Sequence, residues 1–361
     1  MEERILQELS EVIQSSNINF LVGAGVSNPF LPPLGNIEQK LNEAKDDSER
    51  ETQLKEYFSK VMLPNKGVIE NSISSDEYKQ TTQSYDDFFL SLSDVILRRK
   101  STILSKQVNL FTTNIDVLME TTLERLLIEY NDGFSGKFTP TFSPANYKKS
   151  IYQRSLHYDH ISEIPVFNIV KMHGSLTWLE SGDKITFSHS LSHIDPELSK
   201  KTGEEFFNPY KKILVVNPEE SKHLESVLNL YYYELLRMYS SELEKENATL
   251  FVLGFSMDDK HIKEITLRAA KANPTLRVFV CCSKKEKQQM FDKLEVLQHP
   301  NVSILSMSSE TEYQIHDGSK PEEHETDTSS DNIYFTLPFF TKEILNKVIN
   351  KQSDESSKAD E

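Results

Sequence analysis

A histidine ahead of a glycine, His173, and an asparagine two residues ahead of an aspartate, Asn114 and Asp116, each follow a short apolar run. A glycine turn, Gly23-Ala24-Gly25-Val26-Ser27, follows a third run, and Gly254-Phe255-Ser256-Met257-Asp258-Asp259 follows a fourth. The residue types suit proton transfer and anion binding. Histidine titrates near neutrality and is suited to taking a proton. Glycine permits close approach of the main chain to a ligand. A helix starting beyond such a turn presents free N–H groups to a phosphate. Each piece also has a bland reading. Asn114 can cap the following helix, Asp116 can complement its dipole, His173 can be a satisfied turn residue, and the glycine turn can be purely structural.

The elements that must position these residues are legible from periodicity. Ile18–Val22, Val108–Thr112, Val166–Met172, Ile213–Val216, Thr249–Leu253, Arg277–Cys281 and Val302–Leu305 are short apolar runs that predict buried strands. Helical spacing marks Glu2–Ser16, the segment after Thr112 carrying Val117, Leu118, Leu123, Leu126 and Leu127, and then Lys222–Lys245, Asp259–Ala272 and Lys284–Leu297. Short strands alternating with helices predict an α/β fold, a parallel sheet covered on both faces. In such sheets, residues at the carboxyl ends of separate strands converge on one crevice. Four polar turns, each after a strand, therefore define one candidate site.

Two stretches interrupt the rhythm. Residues 36–107 read as a polar, helix-prone insertion over the carboxyl edge of the sheet, and Gly133–Pro165 reads as loop. The main domain is expected over 1–305, followed by a flexible acidic segment at 306–332, an aromatic docking or assembly segment at 333–350 and a disordered tail at 351–361. The segment with Tyr334, Phe335, Phe339 and Phe340 suits either its own core or a neighbouring subunit. Trp178 is expected in the core.

The chain has 40 basic and 56 acidic residues and a formal charge of −16. That balance disfavours nucleic acid or an anionic membrane as the main partner. Half of the excess lies in 306–361, with 13 acidic and 5 basic residues, so the rest can hold a local positive pocket. No stretch has the length to span a bilayer, the amino terminus does not read as a secretory signal, and the adjacent Cys281 and Cys282 are poorly arranged for a disulfide. A reducing, cytoplasmic setting is expected. The spacing of His157, His160, His189 and His193 invites a metal, but no thiolates or clustered carboxylates accompany them.

The ordered set G-A-G-x-S, T-x-N-I-D, H-G and G-x-S, spanning about Asn17 to Ser283, resembles the Sir2 (sirtuin-like) family. The resemblance implies a Rossmann-like, doubly wound parallel sheet of Sir2 type that binds NAD+ and cleaves its bond to nicotinamide. Carried over by position, Gly23, Ala24, Gly25 and Ser27 would hold the pyrophosphate. Asn114 and Asp116 would grip the nicotinamide end and its ribose, His173 would be the general base, and Gly254 and Ser256 would contact the adenosine half. Deacetylating sirtuins carry a zinc ribbon of paired Cys-x-x-Cys after the histidine, whereas Gly174–Leu253 contains no cysteine, so no zinc is expected. Asn28-Pro29-Phe30-Leu31-Pro32-Pro33-Leu34-Gly35 also lacks their Asp-Phe-Arg, and Thr113 replaces their glutamine. These departures remove the acyl-lysine platform. Val252–Ile262 and Val215–Lys222 resemble instead the Sir2-like NAD+ hydrolases of bacterial antiphage defence. The compact length resembles the Sir2 partner of a HerA-type hexameric ATPase. That implies NAD+ as substrate, a homo-oligomer such as a large ring, and an ATPase partner. The competing reading is an NAD- or ADP-ribose-binding scaffold for such an ATPase.

Overall fold

The computed structural model describes residues 2–33, 40–41, 43–99, 103–154, 161–216, 227–308, 312–317 and 334–351. Its centre is an eight-stranded sheet. In chain order the strands are β1 (Asn17–Val22), β2 (Gln107–Thr112), β3 (Tyr130–Asn131), β8 (Val166–Lys171), β11 (Ala248–Leu253), β12 (Arg277–Cys282), β13 (Val302–Met307) and β14 (Tyr313–His316). The spatial order is β14-β13-β12-β11-β1-β2-β8-β3, and every pairing is parallel except β13 with β14. The intervening short strands are β4 (Phe134–Ser135), β5 (Thr141–Phe142), β6 (Tyr152–Arg154), β7 (Ile161–Glu163), β9 (Trp178–Ser181) and β10 (Lys184–Phe187). Strands β4, β5, β10 and β9 make a small antiparallel sheet, and β6 pairs with β7. The architecture is a Rossmann-type α/β sheet flanked by helices.

Both sheet faces are buried, which explains why the strands read as unbroken apolar runs rather than alternating ones. Phe20, Leu110, Phe167, Phe251 and Phe279 face one core, together with Leu9 of α1 (Glu2–Ser15) and the last helical segment. Leu21, Phe111, Val170, Leu250 and Val278 face the other. On the first face Phe20, Phe251 and Phe279 stack across three strands at 5.5 and 5.3 Å. Phe340 meets Phe20 and Phe251 edge-on at 6.0 and 5.5 Å. With Leu337, Ile344, Leu345 and Val348 buried in the same cluster, the described part of the aromatic carboxyl-terminal segment is a core element of its own chain.

The second face carries a polar line. Asn19, Asn109 and Asn168 are register partners on β1, β2 and β8. The Asn109 amide donates to Asn19 Oδ1 at 2.9 Å, and the Asn168 amide donates to Asn109 Oδ1 at 2.9 Å. Asn109 also donates to Glu242 on the helix Val227–Leu243 at 3.0 Å. Buried amides are costly unless paired, and this ladder satisfies Asn19 Oδ1 and Asn109 Oδ1 only with the three strands in one register.

Several sequence expectations are corrected. Ile213–Val216 is not a strand; it makes one isolated antiparallel bridge, Val215 to Gly174. Its side chains divide instead: Ile213 and Val215 pack into a third cluster with Leu54, Phe58 and Met62, while Leu214 and Val216 join the second sheet-face core. Lys284–Leu297 contracts to a helix over Lys287–Lys293 and a short 3-10 turn. Residues Gly133–Pro165 contain strands rather than loop alone, and the polar stretch after Leu305 contributes the end of β13 and the edge strand β14. The insertion is also less separate than its polarity suggests. It holds α2 (Asp47–Tyr57), α3 (Leu63–Ile69) and α4 (Asp76–Leu97), and α4 buries Phe88, Phe89 and Leu92 against the sheet. It is the crossover helix between β1 and β2. The expectations for Gly35, Asn217–Lys222, His157 and His160 lie outside the described residues.

Candidate functional site

The glycine turn leaves β1 as a 3-10 turn, Ala24–Ser27, with Ala24 and Gly25 exposed and Ser27 buried. It is packed backbone to backbone against the turn after β11. Gly23 N–H donates to Leu253 O and Gly25 N–H to Gly254 O, both at 3.0 Å. A Cβ on Gly25 would stand 2.8 Å from Gly254 Cα, and one on Gly254 would stand 2.7 Å from Val26 N. Gly254 also has φ of 59°, in the left-handed region. Gly25 and Gly254 thus serve each other's close approach, and the Gly25 amide is spent inside the protein.

The turn after β2 clasps the same structure. Thr112 Oγ1 donates to Val22 O at 2.8 Å and accepts from Asn114 N at 2.9 Å. The Asn114 side-chain amide donates to Gly23 O at 3.1 Å and Ser27 Oγ at 3.3 Å. Ser27 Oγ donates to Asp116 Oδ2 at 3.1 Å and lies 3.0 Å from the Tyr85 hydroxyl. Asp116 Oδ1 accepts from Leu118 N at 3.0 Å, at the start of the helix Leu118–Leu126. Both its carboxylate oxygens therefore hold protein groups. From below, Lys171 donates to the Asp116 carbonyl and pairs with Glu120 at 3.2 Å. Burial pushes the Glu120 carboxyl up, against the pull of Lys171. Asn65 of the insertion accepts from Val117 N at 2.9 Å.

Lys171 and Thr112 are register partners, so the chain segments carrying His173 and Asn114 leave neighbouring strands side by side. The half-buried His173 ring contacts Asp259 Oδ2 through Nε2 at 3.1 Å. The other Asp259 oxygen, Oδ1, caps the helix Lys260–Ala272 by accepting from Ile262 N at 3.0 Å. Tyr232 lies 6.2 Å from the His173 ring. Ser256 is exposed on the same turn as Gly254; its carbonyl accepts from Lys293 at 2.8 Å.

The structure thus brings Gly23, Ser27, Asn114 and Asp116 into one hydrogen-bonded unit and joins Gly25 to Gly254 by packing. His173 is tied to the Gly254 turn through Asp259. Ala24 and Ser256 flank the unit without joining it in these bonds. Sequence reading missed Tyr85, Asn65, Lys171 and Asp259. The first two carry no signal in a helical insertion. Asp259, preceding a helix, reads as a cap and is one, which hid its second contact. Trp178 is core, 4.6 Å from Phe142. Among the described residues no group of His, Cys, Asp or Glu is arranged to hold a metal, and no helix is long and apolar enough to cross a membrane.

Two outcomes test this geometry. Tyr85→Phe removes one hydroxyl from Ser27 and should cost about 0.5–1.5 kcal/mol in denaturant unfolding. No change in midpoint would detach Tyr85 from the unit. The second concerns acid. Burial alone would raise the Asp259 carboxyl, but the hydrogen bond and charge of His173, with the Ile262 amide, hold it below its ordinary value. A carboxyl depressed on folding contributes stability that is fully present above its unfolded value and is lost as pH falls through its folded one. Asp259→Asn should therefore flatten the stability profile in that acid window, read as the acid-unfolding midpoint. An unshifted acid limb would count against the contact.

Among curated proteins none matches this chain. A solved structure described by the words "Structural Basis for the Mechanism and Regulation of Sir2 Enzymes" is 12% identical, covers 76% of this chain and 83% of its own, and has a TM-score of 0.32. The description of the SIR2-like domain matches residues 108–305, more than half of the chain and including Asn114, Asp116, His173, Gly254 and Ser256. On that match, the chain belongs to the SIR2-like domain family, an NAD-dependent enzyme family.

Proposed function

We propose that the chain is an NAD+ hydrolase that releases nicotinamide and ADP-ribose, with water as the acceptor. The observation that carries the reading is the state of the Asn114 amide. Both of its N–H bonds point to protein acceptors, Gly23 O and Ser27 Oγ. What it can offer a ligand is Oδ1, an acceptor. An acceptor orients a water by accepting a hydrogen bond from one of its O–H groups, which turns an oxygen lone pair toward the carbon to be attacked.

The ribose–nicotinamide bond breaks, and its electron pair neutralises the pyridinium nitrogen of the leaving group. Positive charge builds on the ribose as in glycoside hydrolysis. The water oxygen bonds to that carbon and its proton passes to His173 and on to solvent. Asp116 acts through Ser27 and the helix start rather than by touching ligand, a revision of the expectation that it grips the nicotinamide end. The exposed backbone at Ala24 and Gly25 is assigned to the pyrophosphate, with the Gly25 amide already committed. Gly254 and the exposed Ser256 are assigned to the adenosine half.

Resemblance of the Val252–Ile262 segment extends the proposal to NAD+ depletion in antiphage defence. The separate resemblance to a Sir2 subunit that works with a HerA-type ATPase extends it to a ring-shaped homo-oligomer and to such a partner. The deciding experiment incubates purified protein with NAD+, alone and with such an ATPase, and follows nicotinamide. Release without any acylated peptide supports the reading. Tight NAD+ binding with no release in either sample would replace it by the scaffold reading.

A further inference from the structure

We infer that Asp259 is the positioning residue of His173, selecting the ring nitrogen that takes the proton. The inference rests on the hydrolase reading for its kinetic consequence, but not for its geometry. Asp259 sits where the turn after β11 enters a helix, and its two oxygens are divided. Oδ1 is fixed by the Ile262 amide at 3.0 Å, which leaves the carboxylate little freedom to rotate. Oδ2 faces His173 Nε2 at 3.1 Å. The His173 backbone is held as well: its carbonyl accepts from Val216 N at 2.8 Å. With backbone and ring both anchored, the imidazole has one orientation.

A carboxylate is an acceptor only, so the proton on the neutral imidazole resides on Nε2 and Nδ1 carries the lone pair. A proton received at Nδ1 gives an imidazolium whose charge lies against the Asp259 carboxylate, which opposes its cost in a half-buried site. The contact also couples the two halves of the site. His173 follows β8 and Asp259 follows β11, two strands separated by β1 and β2. Whatever shifts the turn at Gly254 shifts the base.

The test separates the cap from the contact. Asp259→Asn keeps the shape but offers the ring an amide that can present a donor instead of an acceptor. Asp259→Ser keeps a good helix cap and withdraws the carboxylate from His173. Both should lower kcat for nicotinamide release by about 10²-fold or more, with KM within about threefold and the Ser variant folded as the parent. Asp259→Glu should recover part of the loss. In parallel, 15N-imidazole labelling, with His173→Gln to assign the resonance, should show Nε2 protonated in the parent and a changed tautomer mixture in Asp259→Asn. Unchanged kcat in the Ser variant, or an unchanged tautomer in Asp259→Asn, overturns the inference. If the parent releases no nicotinamide at all, the hydrolase reading falls. The ring-nitrogen signals then decide the Asp259 assignment alone.

Discussion

Replacing His173 with alanine should lower nicotinamide release from NAD+ by about 10²–10⁴-fold, the range for a positioned general base, while leaving the fold intact. The side chain is about one-fifth exposed and bonds, among the described residues, to Asp259, which keeps its helix-capping bond without it. Denaturant unfolding should therefore move by less than about 1 kcal/mol, in line with loss of a partly exposed contact. Asn114→Ala gives the informative contrast. Activity should fall comparably, because the water loses its acceptor. Stability should fall too, by about 1–3 kcal/mol, because Gly23 O and Ser27 Oγ lose a buried donor. One variant separates chemistry from structure and the other joins them. Turnover persisting in both variants would remove these residues from the site.

The second large effect is expected at a residue that touches no substrate atom in its side chain. Gly254→Ala should destabilise the protein by about 2–5 kcal/mol, combining the left-handed backbone cost with overpacking. The methyl would stand 2.7 Å from Val26 N and 2.9 Å from the Gly25 carbonyl carbon, both backbone atoms that cannot rotate away. The turns after β1 and β11 must separate, which breaks the Gly25 N–H to Gly254 O bond. Activity should be lost along with stability, since the displaced turn carries Gly23 and Ser27 on one side and Asp259 on the other. Thermal unfolding reads the first effect and nicotinamide release the second. A folded, fully active alanine variant would show that the approach of the two turns is dispensable.

The strands that carry the candidate residues were legible because each is buried on both faces and reads as a short apolar run bounded by a turn. Ile213–Val216 has the same appearance and is not a strand: it makes one isolated bridge, and its side chains are shared between a cluster beside the insertion (Ile213 and Val215) and the core on the second sheet face (Leu214 and Val216). Local composition cannot separate those two fates. The polarity of Tyr313–His316 concealed an edge strand, which needs only one apolar face. Helix Asp76–Leu97 reads as part of an insertion because its outward face is polar, although its inward face carries Phe88 and Phe89. Within the site, Asn114 and His173 were visible as polar residues in strand-ending turns. Their anchors were not, since Ser27 meets Tyr85 58 residues away, and His173 meets Asp259 86 residues away. Such separations leave no periodicity to read.

The three asparagines across β1, β2 and β8 act as a datum line for everything at the carboxyl edge. Val22, Thr112 and Lys171, the last residues of those strands, each lie three residues beyond their ladder asparagine and are register partners of one another. Every strand end is thus measured off by the same length of about 10 Å. Gly23, Asn114 and His173 are counted from those ends. Chain length can vary on the far side of that line, where loops absorb it. A residue added between the line and a strand end would leave the sheet its apolar faces and move one chemical group out of level with the others.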